Sequence, residues 1–79
     1  MNVRVRYFAA FREATGLATE EVETTASSVA GLFDECAARH PSLRSRAAAL
    51  VAVNDEMSDW DRALEEGDEV LLFPPVAGG

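Results

Sequence analysis

Apolar and polar positions change their period along the chain, and the changes predict the elements. Val3, Val5 and Tyr7 alternate with Arg4 and Arg6. Period two with β-branched and aromatic residues predicts a first strand with one buried face, ending near Phe8. Ala9 to Ala14 is rich in helix formers and predicts one helical turn, closed by a Thr15-Gly16 turn. Ala18 to Thr25 sets Thr19, Val22, Thr24 and Thr25 among three glutamates, which predicts a second, more exposed strand.

Helical periodicity comes next. Val29, Leu32, Phe33, Cys36, Ala37 and His40 fall at i, i+3, i+4, i+7, i+8 and i+11, one stripe facing a core. Ser27 or Ser28 can cap this helix by accepting from an unpaired backbone N–H two or three residues on. Arg39 and His40 place positive charge in the last turn, and Pro41 stops the helix. Gly31 inside it costs about 1 kcal/mol relative to alanine. Pro41 to Ala49 reads as a connection with room for a short helical turn. Leu50 to Val53 predicts a third strand, ended by an Asn54-Asp55 turn. Met57 and Trp60 are assigned to a short edge strand. After a Glu65-Glu66-Gly67-Asp68 turn, Glu69 to Phe73 is a nearly continuous apolar run. It predicts a central strand covered on both faces, or on one face and a rim. One amphipathic helix against these strands makes an α+β two-layer domain.

Composition bounds the rest. The 79 residues suit one small domain with a thin core, and 48% apolar content argues for folding. Seven basic against 14 acidic residues give a net charge of −7. That charge argues against nucleic acid and anionic membranes as partners. All seven cations are arginine, so there is no internal lysine ε-amine. The single cysteine, Cys36, permits no internal disulfide and no thiolate metal cage, which points to a reducing compartment. The longest apolar run, Ala47 to Val53, is far short of the roughly 20 residues of a membrane span, and no signal-peptide core is present after the N-terminus. These features place the protein in the cytoplasm.

Candidate chemistry is sparse. Cys36 lies on the apolar stripe, where a packed structural thiol is the better reading than a nucleophile or sulfur relay. For His40 a helix-end role outweighs acid–base work. Asp55, Glu56, Asp59 and Asp61 lack the spacing of a calcium loop and read as a solvated acidic loop. Gly67-Asp68 makes the turn into the last strand. Trp60 and Phe11 fit either core or interface. There are no paired catalytic carboxylates, no nucleophile with a base and no phosphate-binding glycine loop, which argues against a stand-alone enzyme.

The strongest signal is the end of the sequence, Phe73-Pro74-Pro75-Val76-Ala77-Gly78-Gly79. Two prolines end the strand and stiffen the segment beyond it. Six extended residues project roughly 20 Å. Side chains shrink toward the end, a taper suited to threading a narrow channel in another protein. The chain is thus divided into a domain, residues 1–73, and an extended tail, residues 74–79.

Three blocks carry a family resemblance across essentially the whole chain: Val5 to Glu13 closed by Gly16, Val51-Ala52-Val53-Asn54, and Gly67-Asp68-Glu69-Val70 running through Phe73 to Gly79. The chain resembles the small subunits of molybdopterin synthase, ubiquitin-like sulfur carriers of the MoaD/ThiS type. The resemblance implies a β-grasp fold, a mixed sheet covered on one face by one main helix, with first and last strands parallel neighbours. It implies that a MoeB-like enzyme uses ATP and Mg²⁺ to adenylate the Gly79 carboxylate, while the chain itself binds no cofactor and no metal. A persulfide sulfur then displaces AMP, leaving a thiocarboxylate. Gly79 donates that sulfur to cyclic pyranopterin monophosphate inside a MoaE-like large subunit, in a heterotetramer. Gly78, Ala77 and Val76 would thread the partner channel, and Phe8, Phe73, Pro74 and Pro75 would form the docking interface. Rival expectations are a sulfur carrier for thiamine, cysteine or tRNA thiolation, a ubiquitin-like protein modifier, and a plain interaction domain.

Overall fold

The computed structural model describes residues 1–43 and 49–74. Five strands form one mixed sheet in the order β2-β1-β5-β3-β4. They are β1 (Asn2–Tyr7), β2 (Thr19–Glu23), β3 (Leu50–Val53), β4 (Glu56–Met57) and β5 (Glu69–Phe73). Helix α1 (Ala10–Thr15) follows β1, and α2 (Val29–Arg39) follows β2. β1 and β5 are parallel, with Val5 opposite Val70 and Tyr7 opposite Leu72. The other pairings are antiparallel. This is the β-grasp arrangement that the resemblance implies.

The alternation read in β1 holds: Val3, Val5 and Tyr7 are buried, and the arginines between them are not. In β2 only Val22 is buried, as expected of an exposed edge strand. β5 is central, yet only Val70 and Leu72 are buried while Glu69, Leu71 and Phe73 are half-buried. The helix layer covers one face, so the one-face alternative applies. The covered face joins Val3, Val5, Tyr7, Val51, Val53, Val70 and Leu72 to Val29, Leu32, Phe33 and Cys36 of α2. Phe11 of α1 belongs to the same core.

The termini of α2 are closed as the sequence suggests. Of the two candidate serines, Ser28 is the cap: its Oγ accepts from the Gly31 N–H at 3.2 Å. The next orphan donors are met from across the chain. Val29 N–H donates to the Arg62 carbonyl at 3.0 Å and Ala30 N–H to the Trp60 carbonyl at 2.8 Å. That use of residues 58–64 corrects one assignment. Trp60 is not part of the edge strand, which ends at Met57. Its carbonyl is committed to the helix, and its ring meets Phe33 edge-on at 5.4 Å between centroids.

Both turns read as Asn54-Asp55 and Gly67-Asp68 are present. Asn54 and Asp55 have φ of 52° and 70°, the left-handed pair that suits a tight hairpin. Of the Pro41–Ala49 connection, the expected short helical turn falls largely on residues 44–48, outside the described residues. Among the described residues, no helix is long and apolar enough to cross a membrane.

Candidate functional site

The base of the tail is built by β5 and its neighbours. β5 is held on both sides, by β1 and by β3. Phe8 N–H donates to the Leu72 carbonyl at 3.1 Å, and Leu50 stands opposite Phe73. Backbone leaving β5 at Pro74 therefore starts from a strand fixed in register on both edges. Pro74, Phe73 and Phe8 are all half-buried, so three of the four docking candidates stand together at this end of the sheet. Pro75, Val76, Ala77, Gly78 and Gly79 lie outside the described residues.

Strand alternation puts Leu71 and Phe73 on the sheet face opposite α2. In register, Leu71 stands between Arg6 and Ala52, and Ala52 opposite Met57. Among the described residues Met57, at 63%, is the most exposed of the large apolar side chains. The tail end of this outer face is thus apolar, made by Leu50, Leu71, Phe73 and Met57. Its other end is charged. Arg4 pairs with Glu21 at 2.8 Å and lies 4.0 Å from Glu69, which Arg6 approaches at 3.9 Å. The Glu21 hydrogen bond and charge hold the Arg4 guanidinium above its usual pKa. Arg6 also lies over the Phe8 ring, 5.4 Å from its centroid, so the two zones meet there. An apolar zone bordered on one side by charged residues resembles the apolar core and polar rim of a docking surface. An open depression of about 410 Å³ lies at the charged end, lined by Asn2, Arg4, Glu21, Glu66 and Glu69 among others. It lies at the opposite end of the sheet from Pro74, and its Arg4 is already paired with Glu21.

Behind the sheet at the tail end lies a polar cluster that sequence spacing did not reveal. Tyr7 Oη donates to Glu20 Oε1 at 2.8 Å. His40 Nε2 is 3.2 Å from the same oxygen, and Arg39 reaches Glu20 Oε2 at 3.5 Å. Burial alone would raise the Glu20 pKa, but the Tyr7 and His40 hydrogen bonds and the Arg39 charge outweigh it and lower it. Tyr7 is raised, first by burial and then by Cys36 and Glu20. His40 does serve the helix end, its N–H bonding the Cys36 carbonyl at 2.8 Å, and it ties that end to β2 as well. Its partner Glu20 is 20 residues away in sequence, which is why no local pattern shows it.

Cys36 is fully buried, in line with the structural reading. Burial pushes its thiol up, against the opposing pull of Tyr7 and Arg39. Of Trp60 and Phe11, open between core and interface, Phe11 is buried in the core and Trp60 is half-buried and packs against it. Asp55, Glu56, Asp59 and Asp61 are exposed. A second unforeseen feature is a clasp between the two turns. Asn54 Nδ2 donates to Asp68 Oδ1 at 3.0 Å, Glu69 N–H to Asn54 Oδ1 at 3.0 Å, and Glu65 N–H to Asp68 Oδ2 at 2.9 Å. Two polar turn residues at the ends of paired antiparallel strands are the signal that would have found it.

Comparisons with known proteins agree with this geometry. The model of the ThiS family matches residues 5–79. The molybdopterin synthase sulfur carrier subunit of Mycobacterium tuberculosis is 38% identical, over 100% of this chain and 99% of that protein. The crystal structure of small archaeal modifier protein 1 from Haloferax volcanii superposes with a TM-score of 0.84 at 29% identity, covering 95% of this chain and 98% of that one. A chain from the complex of subunits 1 and 2 of the molybdopterin-converting factor of Helicobacter pylori gives 0.71 at 25%, covering all of both.

Proposed function

Because the chain belongs to the ThiS family, we propose that it is the sulfur-carrying small subunit of a molybdopterin synthase and works in the cytoplasm. The observation that carries this reading is full-length similarity to a curated sulfur carrier subunit of that enzyme. The geometry is consistent with it: a tail leaving a doubly anchored central strand beside an apolar docking face.

The chemistry starts from the carboxylate. It is a poor electrophile, because its charge is delocalised and its leaving group would be oxide. In this reading a MoeB-like enzyme, using ATP and Mg²⁺, adenylates the Gly79 carboxylate and so supplies AMP as leaving group. A persulfide sulfur displaces AMP and leaves a thiocarboxylate. Val76, Ala77 and Gly78 then thread the large subunit, and the sulfur passes to cyclic pyranopterin monophosphate. Two such transfers make the dithiolene. Phe8, Phe73, Pro74 and Pro75 would seat the domain on a MoaE-like partner in a heterotetramer. The Helicobacter pylori complex, which joins a similar chain to a second subunit, supports a large-subunit partner.

Intact mass after incubation with the adenylating enzyme, ATP and a sulfur donor tests the first half. The expected result is a gain equal to one oxygen replaced by sulfur, mapped to Gly79. Conversion of the pterin substrate on adding the large subunit tests the second half. A loaded chain that leaves the pterin unchanged would move the assignment to another carrier pathway, such as thiamine, cysteine or tRNA thiolation. The likeness to an archaeal modifier protein favours one second reading, attachment to other proteins. That reading requires an amide between Gly79 and a target lysine.

A further inference from the structure

A carboxyl group activated for attack by sulfur is equally open to attack by an amine. An ε-amine reacting with an acyl adenylate forms an amide and releases AMP and a proton, and the carrier is lost in a dead-end linkage. On the proposed sulfur-carrier function, on which this inference rests, the chain carries such a group at Gly79. Its own nucleophiles are each disposed of in a different way.

Lysine is missing altogether, and all seven cations are arginines, whose guanidinium stays protonated and offers no lone pair. The Met1 ammonium donates to the Thr24 carbonyl at 2.8 Å, and the Met1 carbonyl accepts from Thr24 N–H at 2.8 Å. Met1 thus adds a rung to the β1–β2 ladder. It does so at the start of β1, whereas the tail leaves the far end of the parallel strand β5. Six strand residues separate those ends by roughly 20 Å, about the full reach of the tail, so it is the hydrogen bond to the Thr24 carbonyl rather than distance that occupies the amine. The Cys36 thiol is fully buried, and burial keeps it protonated, although only the thiolate is a strong nucleophile. Tyr7 is buried with its hydroxyl donated to Glu20, and the His40 ring nitrogen rests on the same carboxylate. Serine and threonine hydroxyls are weak nucleophiles without an adjacent base, and Thr24, whose hydroxyl does donate to the Glu35 carboxylate, is buried. A preference for arginine would explain the missing lysine, but not the buried thiol or the docked amine.

We propose that the chain is built to be inert toward its own activated carboxyl group, so that only a nucleophile supplied by a partner can consume it. This is specificity achieved by removing the competing reaction.

The test uses the full chain with a MoeB-like adenylating enzyme, ATP and Mg²⁺, and no sulfur donor. Hydroxylamine added to one portion traps the activated group as a hydroxamate and reports activation directly. In the portion without hydroxylamine, wild type should keep its mass, with no chain lighter by one water and no amide-linked dimer. Arg12→Lys and Thr19→Lys place an amine on exposed positions near the tail end of the fold. At least one should yield a cyclised chain or a linked dimer mapped to the substituted position. Amide-linked wild type overturns the inference, as do two variants that stay as free of adducts as wild type. Absence of hydroxamate, with the enzyme active on another carrier, instead removes the functional reading and this inference with it.

Discussion

On the proposed function, Gly78 belongs to the segment that threads the partner, and Gly78→Val adds a branched group there. Sulfur transfer should fall below detection while the thermal midpoint stays at the wild-type value. Unimpaired transfer would remove the threading argument. Cys36 behaves in the opposite way. Cys36→Ala empties a small volume in the core and should cost about 1 kcal/mol by denaturant unfolding, with sulfur loading at the wild-type level. Loss of loading in a folded variant would make it a relay. Ala9 is a non-glycine residue at φ 50°, ψ −125°, just beyond Phe8. A glycine has no Cβ to strain there, so Ala9→Gly should stabilise the domain by about 1 kcal/mol.

Elements differ in what holds them. The α2 N-terminus rests on one side-chain cap and two carbonyls of a distant loop. Ser28→Ala should cost about 1 kcal/mol. Gly31 in that helix has a packing reason: a Cβ there would come within 3.2 Å of the Ala26 Cβ. The α2 C-terminus is tied to β2 through Glu20, and this link titrates. The folded Glu20 pKa lies below its ordinary value, so the unfolded chain takes up the proton first as pH falls. The stabilisation is present above the ordinary carboxylate range and is lost as pH drops through the lowered folded value. Glu20→Gln should therefore reduce stability near neutral pH and flatten the acid limb of a thermal-midpoint profile. An unchanged acid limb would show that Glu20 is not the group responsible.

For the whole molecule, the proposed function divides the two faces of the sheet between stability and association. A chain of this size typically holds about 4–12 kcal/mol. Leu72→Ala on the covered face should remove about 2–5 kcal/mol and leave the fold marginal. Phe73→Ser on the outer face should leave folding nearly intact and weaken association with the large subunit by about 2 kcal/mol, roughly 30-fold. Titration calorimetry against that subunit checks it, and equal affinity would move the interface elsewhere.

Short-range patterns are enough to find the elements. Period two in β1, the helical stripe of α2, the Ser28 region and the Asn54-Asp55 and Gly67-Asp68 turns are local features, because backbone geometry repeats within a few residues. The Phe73-to-Gly79 ending is legible for the same reason, since a proline pair and a glycine pair act on their own backbone. What the tertiary structure decided were the pairings between distant residues. Parallel β1–β5 pairing, the Glu20 cluster behind it and the Asn54–Asp68 clasp join residues at least 13 positions apart. Trp60 escapes the local pattern because its role is set by a helix about 30 residues earlier, which takes its carbonyl as a cap. Burial of a thiol, docking of a terminal amine and the hydrogen bond from Phe8 to Leu72 depend on which surfaces the folded chain brings together, and no local period encodes that.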